Sequence, residues 1–441
     1  MRGLVEKFFH PERVKRLFEE HAVSQYMWQL PFSTVAEVLS EVVFNVSPSV
    51  GASLQNRAGT LPVSRRAFYK KLNGVEPVVG RALMSDSAAQ LEPVLASLGV
   101  RTRPVLSGHR TRILDGNHFA ATEHRLEVLR HDTAAPLPGQ ALAVLDADRR
   151  LVRDVIPCED GHAQERSLLG QVLPLVCPND LWLADRNFCT LGFVCGIARA
   201  KARFLIRLHA GMPYRTVQKR RQCGRTKAGK VYEERIEITD PETGRAVSCR
   251  LVTLVLDTPT RDGETEVKLV TNLTVKVASA IRVAELYRQR WTIESMFPFS
   301  TGPGLTTHLS CEIRTLAYPQ AAVFAFCLAL LAWNLVSVLL ASLGAVHGED
   351  SVKQNVSGYY LSLEISQVHH GMMIAIPEQH WTVFRTLTPA ALAKLLKTLA
   401  AKVNLAKYQS HPRGPQTPQP KRTHSGNGQH VATAKLLCRL V

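Results

Sequence analysis

The stretch Arg112-Ile113-Leu114-Asp115-Gly116 is a short apolar run that ends on an acid and a glycine. A second run, Asp180-Leu181-Trp182-Leu183-Ala184-Asp185, follows the same pattern. Short apolar runs of this kind are typical of buried strands. Asp115 and Asp185 each close such a strand, where a side chain leaves the sheet edge and points into a crevice. Residues 162–174 have a helical pattern, and strands interleaved with helices predict an α/β core.

The rest of the chain divides by pattern. Residues 1–105 carry apolar residues at three- and four-residue spacing, which predicts helices. Residues 141–146 and 151–156 predict a β-hairpin. Residues 201–275 alternate in short β-like runs separated by turn-forming residues, so we expect a β-rich segment there. The C-terminal tail is rich in proline, glycine, glutamine and basic residues, and its composition predicts disorder.

The charge balance indicates a polyanionic partner. Lysine and arginine total 54 against 37 aspartates and glutamates, which gives a net charge of +17. Phosphate neutralisation drives most non-specific DNA affinity, so nucleic acid is the first candidate. A basic enzyme without such a partner remains an alternative, because basicity alone specifies no partner.

The cysteines and the first residues bear on the compartment. Nine cysteines are scattered along the chain, and none forms a C-x-x-C pair. This pattern indicates neither a zinc knuckle nor a disulfide framework, and it suits a reducing cytosol. Residues 1–7 contain no apolar region of the signal-peptide type, so we expect no signal peptide.

One segment raises the question of a membrane. Residues 321–346 are almost continuously apolar, and as a helix they would span about 39 Å, enough for a bilayer. Asn334, Ser337 and Ser342 interrupt the run, and the sequence offers no second segment of this kind. A helix that is apolar on all sides can also be the central helix of a large core. We favour that interpretation; a membrane anchor is the alternative, which solubility without detergent would exclude.

Two basic clusters predict contacts with the DNA backbone. In the N-terminal region Ser64 can cap a short helix that lies across a groove, with Phe68 as an apolar anchor. That helix carries Arg65, Arg66, Lys70 and Lys71. The second cluster is a basic loop in the β-rich segment, made of Lys219, Arg220 and Arg221. Each cluster can equally be a solvated charged surface, and both interpretations stay open.

A helix near the end of the β-rich segment groups three polar side chains. Ser279 can cap it, and we expect it to span residues 280–297. Tyr287 and Glu294 are seven residues apart, so at 100° per residue they lie within about 20° of each other. Arg290 lies between them along the axis. One face therefore presents a phenol, a guanidinium and a carboxylate.

These acids suit metal-dependent phosphate chemistry. Asp115, Asp185 and Glu294 would supply the hard oxygen ligands that Mg²⁺ or Mn²⁺ prefers. Two such ions can activate an attacking oxygen and stabilise the leaving one. Arg290 and Tyr287 would then hold a phosphate near the metals. From spacing alone, a strand-end aspartate is more often a cap or turn residue, and such a helix face is more often a surface ion pair.

Resemblance to a known family favours the chemical interpretation. The segment Tyr287-Arg-Gln-Arg290-Trp-Thr-Ile-Glu294 resembles the Y-x2-R-x3-E-x6-K signature of DDE insertion-sequence transposases, in the branch called insertion-sequence family four. Residues 114–118 resemble the family's first catalytic aspartate, and residues 183–188 resemble the second. Residues 204–207 resemble the start of its β insertion, and residues 312–319 also look familial. The resemblance covers residues 15 to 400 in the expected order.

The resemblance implies a fold and a division of the chain. The fold is an α/β ribonuclease-H-like core with a β-strand insertion, preceded by a helical N-terminal domain. Residues 1–105 would form the helical DNA-binding region. The catalytic core would comprise residues 106–200 and, with the C-terminal helices, residues 276–405. The β insertion would occupy residues 201–275, and residues 406–441 would be a disordered basic tail.

The resemblance also implies an activity and its partners. Asp115, Asp185 and Glu294 would be the catalytic acids and the ligands of two Mg²⁺ or Mn²⁺ ions. The protein would cleave DNA at the terminal inverted repeats of a transposon and join the freed 3′-hydroxyl to target DNA. Arg186 and Trp291 would join the basic clusters in contacting DNA. We expect a homodimer in the working complex, no stable membrane association, and a location at the nucleoid of the bacterial cytoplasm.

The sequence departs from the signature just after Glu294. The signature's lysine falls on Thr301, and residues 298–304 contain two prolines and two glycines. Pro298 removes the backbone bond to the Glu294 carbonyl, so the helix should end within one turn of the catalytic acid. Our hypothesis is that this copy carries a local lesion. A ribonuclease-H-like endonuclease or resolvase, and an inactive DNA-binding remnant, remain the alternatives.

Overall fold

Nine β-strands form one mixed sheet in this computed structural model, and helices cover both of its faces. The structure describes residues 1–24, 29–99, 104–119, 138–260, 263–290, 309, 313 and 316–410. Residues 1–409 form one compact unit, and residues 410–441 form another, of which only residue 410 is described.

The sheet combines a parallel centre with antiparallel flanks. Its strands are β1 (Arg110–His118), β2 (Gln140–Asp146), β3 (Leu151–Cys158), β4 (Asp180–Ala184), β5 (Arg203–Arg207), β6 (Arg215–Thr226), β7 (Gly229–Thr239), β8 (Ala246–Leu256) and β9 (Glu266–Thr271). Their order across the sheet is β3-β2-β1-β4-β5-β9-β8-β7-β6. β1, β4 and β5 run parallel, and every other neighbouring pair is antiparallel. The predicted α/β class and the β2–β3 hairpin are confirmed.

The helices precede, interrupt and follow the sheet. They are α1 (Arg2–Phe9), α2 (Pro11–His21), α3 (Phe32–Val43), α4 (Val50–Asn56), α5 (Arg65–Leu72), α6 (Pro77–Leu98), α7 (Leu169–Val172), α8 (Leu191–Arg199), α9 (Ala280–Tyr287), α10 (Pro319–His347), α11 (Glu349–Asn355), α12 (Gly358–Ala375), α13 (Val383–Thr386) and α14 (Pro389–Ala400). Short 3₁₀ turns lie between several of them. The partition of the chain into five segments stays a prediction.

Two hydrophobic cores lie on opposite faces of the sheet. Successive side chains of a strand point to opposite faces. Ile113 and Leu183 belong to the first core, which includes α6 and α10, whereas Leu114 and Trp182 belong to the second, which includes α8. This alternation places Asp115, two residues after Ile113, toward the face of the first core.

The apolar helix α10 is long and apolar enough to cross a membrane, and most of it is buried within the protein. Asn334, which interrupts its apolar sequence, is fully buried. Its side chain accepts a hydrogen bond from the Val152 amide and donates one to the Val152 carbonyl, both at 2.8 Å. Val152 lies in β3 at one edge of the sheet, where backbone groups lack a strand partner. Asn334 therefore provides hydrogen-bond partners for backbone groups of the edge strand β3 from inside the core.

Two local expectations differ from the structure. Of the helix predicted over residues 280–297, the described part is α-helical over Ala280–Tyr287 and continues as a 3₁₀ turn, Arg288–Arg290, and residues 291–297 lie outside the described residues. Lys219, Arg220 and Arg221 lie within strand β6 at the other sheet edge, not on a loop. The β-rich segment is also continuous with the core, because β9 pairs directly with β5. Residues 298–304, to which the lesion hypothesis refers, lie outside the described residues.

Candidate active site

The carboxyl ends of β1 and β4 bring two predicted acids together. These strands are parallel neighbours, and Ile113 of β1 pairs with Leu183 of β4. Asp115 and Asp185 each lie two residues beyond this pair. Because parallel strands keep their register, Asp115 and Asp185 are level with each other at the carboxyl ends of the two strands.

The third parallel strand adds a cation to the same row. Ala184 of β4 pairs with Ile206 of β5, so Arg207 at the end of β5 is level with Asp185. The row therefore runs Asp115, Asp185, Arg207 across three adjacent strands.

Backbone amides fix both acids. Asp115 Oδ1 accepts a hydrogen bond from the Gly116 amide at 3.1 Å. Asp185 caps the 3₁₀ turn Arg186–Phe188, and its Oδ1 accepts from the Asn187 amide at 2.7 Å. Both residues are partly buried, and the Asp115 side chain is 16% exposed. Each carboxylate is thus oriented by a short local contact and keeps some contact with solvent.

The segment after α9 brings an arginine and a tyrosine to the acids. Arg290 Nη1 lies 3.8 Å from Asp115 Oδ2, and the Arg290 guanidinium lies 5.7 Å from the Tyr287 ring centroid. Burial raises the pKa of Tyr287 to about 12; the Asp185 charge also raises it, while Arg290 and Arg207 lower it. Tyr287 is therefore a protonated hydrogen-bond donor at neutral pH. Four of the predicted residues, Asp115, Asp185, Tyr287 and Arg290, share one site.

A carboxylate holds two arginines at the rim of this site. Glu264 accepts hydrogen bonds from Arg207 and, at 2.9 Å, from Arg186. The Arg207 hydrogen bond is the main reason that the pKa of Glu264 lies below its ordinary value. Arg207 closes a short apolar strand as Asp115 and Asp185 do, and that signal could have identified it. Glu264 carries no such signal, because it reaches the site from the loop between β8 and β9.

The donor chemistry of the site fits a divalent cation. Asp115 and Asp185 offer hard oxygen ligands on adjacent strands, as Mg²⁺ and Mn²⁺ require. In the described part of the chain, no three acidic, histidine or cysteine side chains form a group that could hold a metal ion. Glu294, the predicted third ligand, and Trp291 lie outside the described residues. The two aspartates are therefore the observed part of the predicted triad.

Comparison with known proteins identifies the family. The model of the transposase DDE domain matches residues 106–335, which include all three predicted acids. This chain belongs to the DDE transposase family. Among solved structures, this DDE transposase is similar to the piggyBac transposase in its synaptic complex with hairpin DNA, with a TM-score of 0.39 and 8% identity over 87% of this chain and 84% of that one. No curated protein sequence matches it significantly.

The basic cluster on β6 of this DDE transposase is largely neutralised. Arg221 pairs with Glu233 at 3.2 Å, and Arg220 pairs with Glu266 at 3.5 Å. Lys219 is exposed and has no ion pair within the part of the chain that the structure describes. Two of the three predicted phosphate contacts thus already have acidic partners.

Fewer side chains of the basic cluster on α5 pair with carboxylates among the described residues. The Ser64 hydroxyl accepts a hydrogen bond from the Ala67 amide at 3.2 Å and caps the helix. Arg65, Arg66 and Lys70 are exposed, and among the described residues none of them pairs with a carboxylate. Lys71 is half-buried, with its Nζ 5.0 Å from the Phe18 ring centroid. The α5 surface is therefore the stronger candidate of the two for phosphate contacts.

Proposed function

We propose that this DDE transposase cleaves DNA at transposon ends and joins the freed 3′-hydroxyl to target DNA in a divalent-metal reaction. The observation that carries the proposal is the alignment of Asp115 and Asp185 on adjacent parallel strands, inside the segment that matches the transposase DDE domain. The mixed sheet, with β1, β4 and β5 parallel at its centre, supports a ribonuclease-H-like core that carries a β insertion within residues 201–275. Glu294 is the proposed third acid.

The proposed chemistry divides between the metal ligands and the cationic side chains. Asp115, Asp185 and Glu294 would hold two Mg²⁺ or Mn²⁺ ions. When bound, such ions activate an attacking oxygen and stabilise the leaving oxygen of an in-line displacement. The Arg290 guanidinium beside Asp115 can hold a phosphate oxygen, and the protonated Tyr287 hydroxyl can donate a hydrogen bond to another. These donors would orient the scissile phosphate against the acids.

The partners of this reaction are proposed on charge and position. Terminal-repeat and target DNA would contact α5 and the exposed Lys219, and Arg186 and Trp291 would contact DNA closer to the acids. Joining two transposon ends in one event calls for at least a homodimer in the working complex. We also propose a nucleoid-associated protein of the bacterial cytoplasm with no stable membrane association.

A cleavage assay tests the proposal. The substrate is DNA that carries the inverted repeats flanking the gene, incubated with purified full-length protein and Mg²⁺. Asp115→Ala, Asp185→Ala and Glu294→Ala should each abolish cleavage and leave DNA binding largely intact. Glu285→Ala is the matched control, since Glu285 is an exposed acid of α9 that pairs with Arg282 three residues away. Cleavage that survives loss of either aspartate would refute the proposed site.

Two further readouts separate the alternatives. A pre-cleaved end that is joined to target DNA indicates a transposase, whereas a resolvase or repair endonuclease would not join it. A purified protein that cleaves terminal-repeat DNA at a normal rate would refute the lesion hypothesis for residues 298–304. A protein that binds DNA, binds Mn²⁺ weakly and cleaves nothing would be the inactive remnant.

A further inference from the structure

A fourth acid, Glu165, lies next to the carboxyl ends of β1 and β4, beside Gly116 and Asn187. It begins the 3₁₀ turn Glu165–Leu168, and Leu168 and Leu169 anchor that turn in the second hydrophobic core. The Glu165 side chain is 15% exposed, about as much as Asp115 at 16%. A partly buried acid needs polar partners for its carboxylate.

Glu165 contacts the residue that follows Asp115. Its carboxylate occupies the space beside the Gly116 backbone, so a Cβ at position 116 would lie 2.6 Å from Glu165 Cδ. A side chain at position 116 would therefore displace the Glu165 carboxylate from its present place. The imidazole of His118, in the same strand, lies close to this carboxylate, with Nδ1 3.9 Å from Glu165 Oε1.

Glu165 also holds the loop that carries Asp185. Its Oε2 accepts a hydrogen bond from Asn187 Nδ2, and Asn187 Oδ1 accepts one from Arg166 at 3.1 Å. The Asn187 amide is therefore fixed at both ends of its side chain. Its backbone N–H donates to Asp185 Oδ1 at 2.7 Å. One acid thus contacts Gly116, which follows Asp115, and Asn187, whose amide binds Asp185 from two residues away.

The geometry points to Glu165 as a positioning residue that sets the separation of Asp115 and Asp185. It does so by contacting the Gly116 backbone and the Asn187 side chain at once, and this pair of contacts is called the brace. This inference rests on the proposed function, because the brace matters for cations that both aspartates bind. Glu165 is not itself placed as a ligand, since no group of three such residues among those described could hold a metal ion. Partners that orient metal ligands without touching the ion change metal affinity by about 10- to 100-fold when mutated.

Mn²⁺ binding to the full-length protein without DNA tests the inference, with free Mn²⁺ followed by electron paramagnetic resonance. Glu165→Ala and Glu165→Asp should weaken binding by about 10-fold or more, because neither side chain reaches Asn187 from beside Gly116. Glu165→Gln should bind nearly as wild type, because the amide oxygen can still accept from Asn187 Nδ2. Should Glu165→Ala not fold, the Gln and Asp variants carry the comparison.

A double-mutant cycle and a matched control complete the test. Asn187→Ala should weaken Mn²⁺ binding as Glu165→Ala does, and the double variant should be no worse than either, because both break one contact. Glu159→Ala is the control, an exposed acid of the same segment.

Three results would overturn the inference. The first is wild-type Mn²⁺ affinity in Glu165→Ala, which would make Glu165 only a structural residue. The second is weak binding in Glu165→Gln with normal binding in Glu165→Asp, which would mean that charge acts and not the brace. In both cases the proposed function stands if Asp115→Ala still abolishes Mn²⁺ binding. The third is a wild-type protein that binds no Mn²⁺, which would remove the proposed metal site as well.

Discussion

Aspartates and arginines lie at both ends of β1 and β4, but the aspartates differ in burial and in the distance to their arginine partners. At the amino end, Arg112 Nη1 lies 2.5 Å from Asp146 Oδ2, and Arg110 Nε lies 2.9 Å from Asp180 Oδ1. Asp146 and Asp180 are almost fully buried, with exposed fractions of 0% and 1%. At the carboxyl end, Asp115 and Asp185 are half-buried, and the arginine beside Asp115 is 3.8 Å away.

This difference separates a structural cluster from a candidate binding site. A buried carboxylate needs close compensation, because desolvation of an uncompensated charge costs several kcal/mol. Arg112 and Arg110 supply that compensation at the amino end. Asp115 and Asp185 instead keep their carboxylates in partial contact with solvent, so a divalent cation can reach them. Only the carboxyl end is therefore suited to bind and release an ion.

The largest expected effect comes from one substitution at each end of β4. Asp180→Asn should destabilise the protein by about 3 kcal/mol, the lower end for breaking a buried ion pair, because Arg110 loses its partner at 2.9 Å while the buried Arg112 keeps Asp146. Asp185→Asn should cost less than about 1 kcal/mol, since asparagine also caps a helical turn well. Urea denaturation of the two purified variants without metal measures both values.

An equal loss of stability in the two variants would break the comparison, because it would mean that both ends of β4 are structural. Glu234→Gln in β7, which is separated from β4 by three strands, is a control for the charge change, since Glu234 is only half-buried.

The positions of the strand ends could be predicted from sequence, but the difference in burial and charge pairing between their aspartates could not. Short apolar runs that stop at Asp115 and Asp185 are local signals, and the α/β class followed from them. The pairing of Arg112 with Asp146 depends on the register between β1 and β2, which no local pattern encodes. Arg207 was missed for a different reason. The run that it closes was interpreted as the start of the insertion and not as a third parallel strand.

Tertiary contacts also decided the details around α9 and Glu165. The amphipathic spacing predicted a helix through Arg290, whereas the 3₁₀ turn Arg288–Arg290 carries the Arg290 guanidinium to Asp115. Glu165 reaches Gly116 and Asn187 from a segment distant in sequence, and an isolated glutamate in a surface turn gives no signal of that contact. Local propensity is a weak guide wherever such contacts override it.

The next effect is stabilisation by metal, which should depend on the carboxyl end alone. An ion that binds only the folded protein stabilises it by about 2.7 kcal/mol at a concentration of about 100 times its dissociation constant. We expect a stabilisation of this size for wild type with Mn²⁺ and none for Asp185→Asn. Asp180→Asn should start lower and gain the same increment, if enough of it is folded. Urea denaturation with and without Mn²⁺ provides the measurement.

A metal-induced gain that persists in both Asp185→Asn and Asp115→Asn would show that Mn²⁺ binds elsewhere. That outcome would contradict a metal site at Asp115 and Asp185, but it would not affect the structural role of Asp146 and Asp180. Ca²⁺ and Mg²⁺ in parallel titrations report whether the site distinguishes cations of different size.

The smallest expected effect concerns the two arginines that face the two groups of acids. Arg290 competes with a cation for Asp115, whereas Arg112 compensates a buried acid. Arg290→Gln should therefore tighten Mn²⁺ binding by about fivefold, which corresponds to about 1 kcal/mol for a partly exposed charge pair. The same variant should bind transposon-end DNA less well, because a phosphate contact is lost.

Tighter Mn²⁺ binding together with weaker DNA binding would indicate that Arg290 contacts the DNA substrate. Arg282→Gln is the matched control on α9, since its guanidinium pairs with Glu285 at 3.3 Å and donates to the Val105 carbonyl at 2.8 Å. Weaker Mn²⁺ binding in Arg290→Gln would contradict the argument, because it would mean that Arg290 supports the site as Arg112 supports the amino end. In that case the 3.8 Å contact with Asp115 would be structural, and phosphate binding would fall to Arg207 and Tyr287.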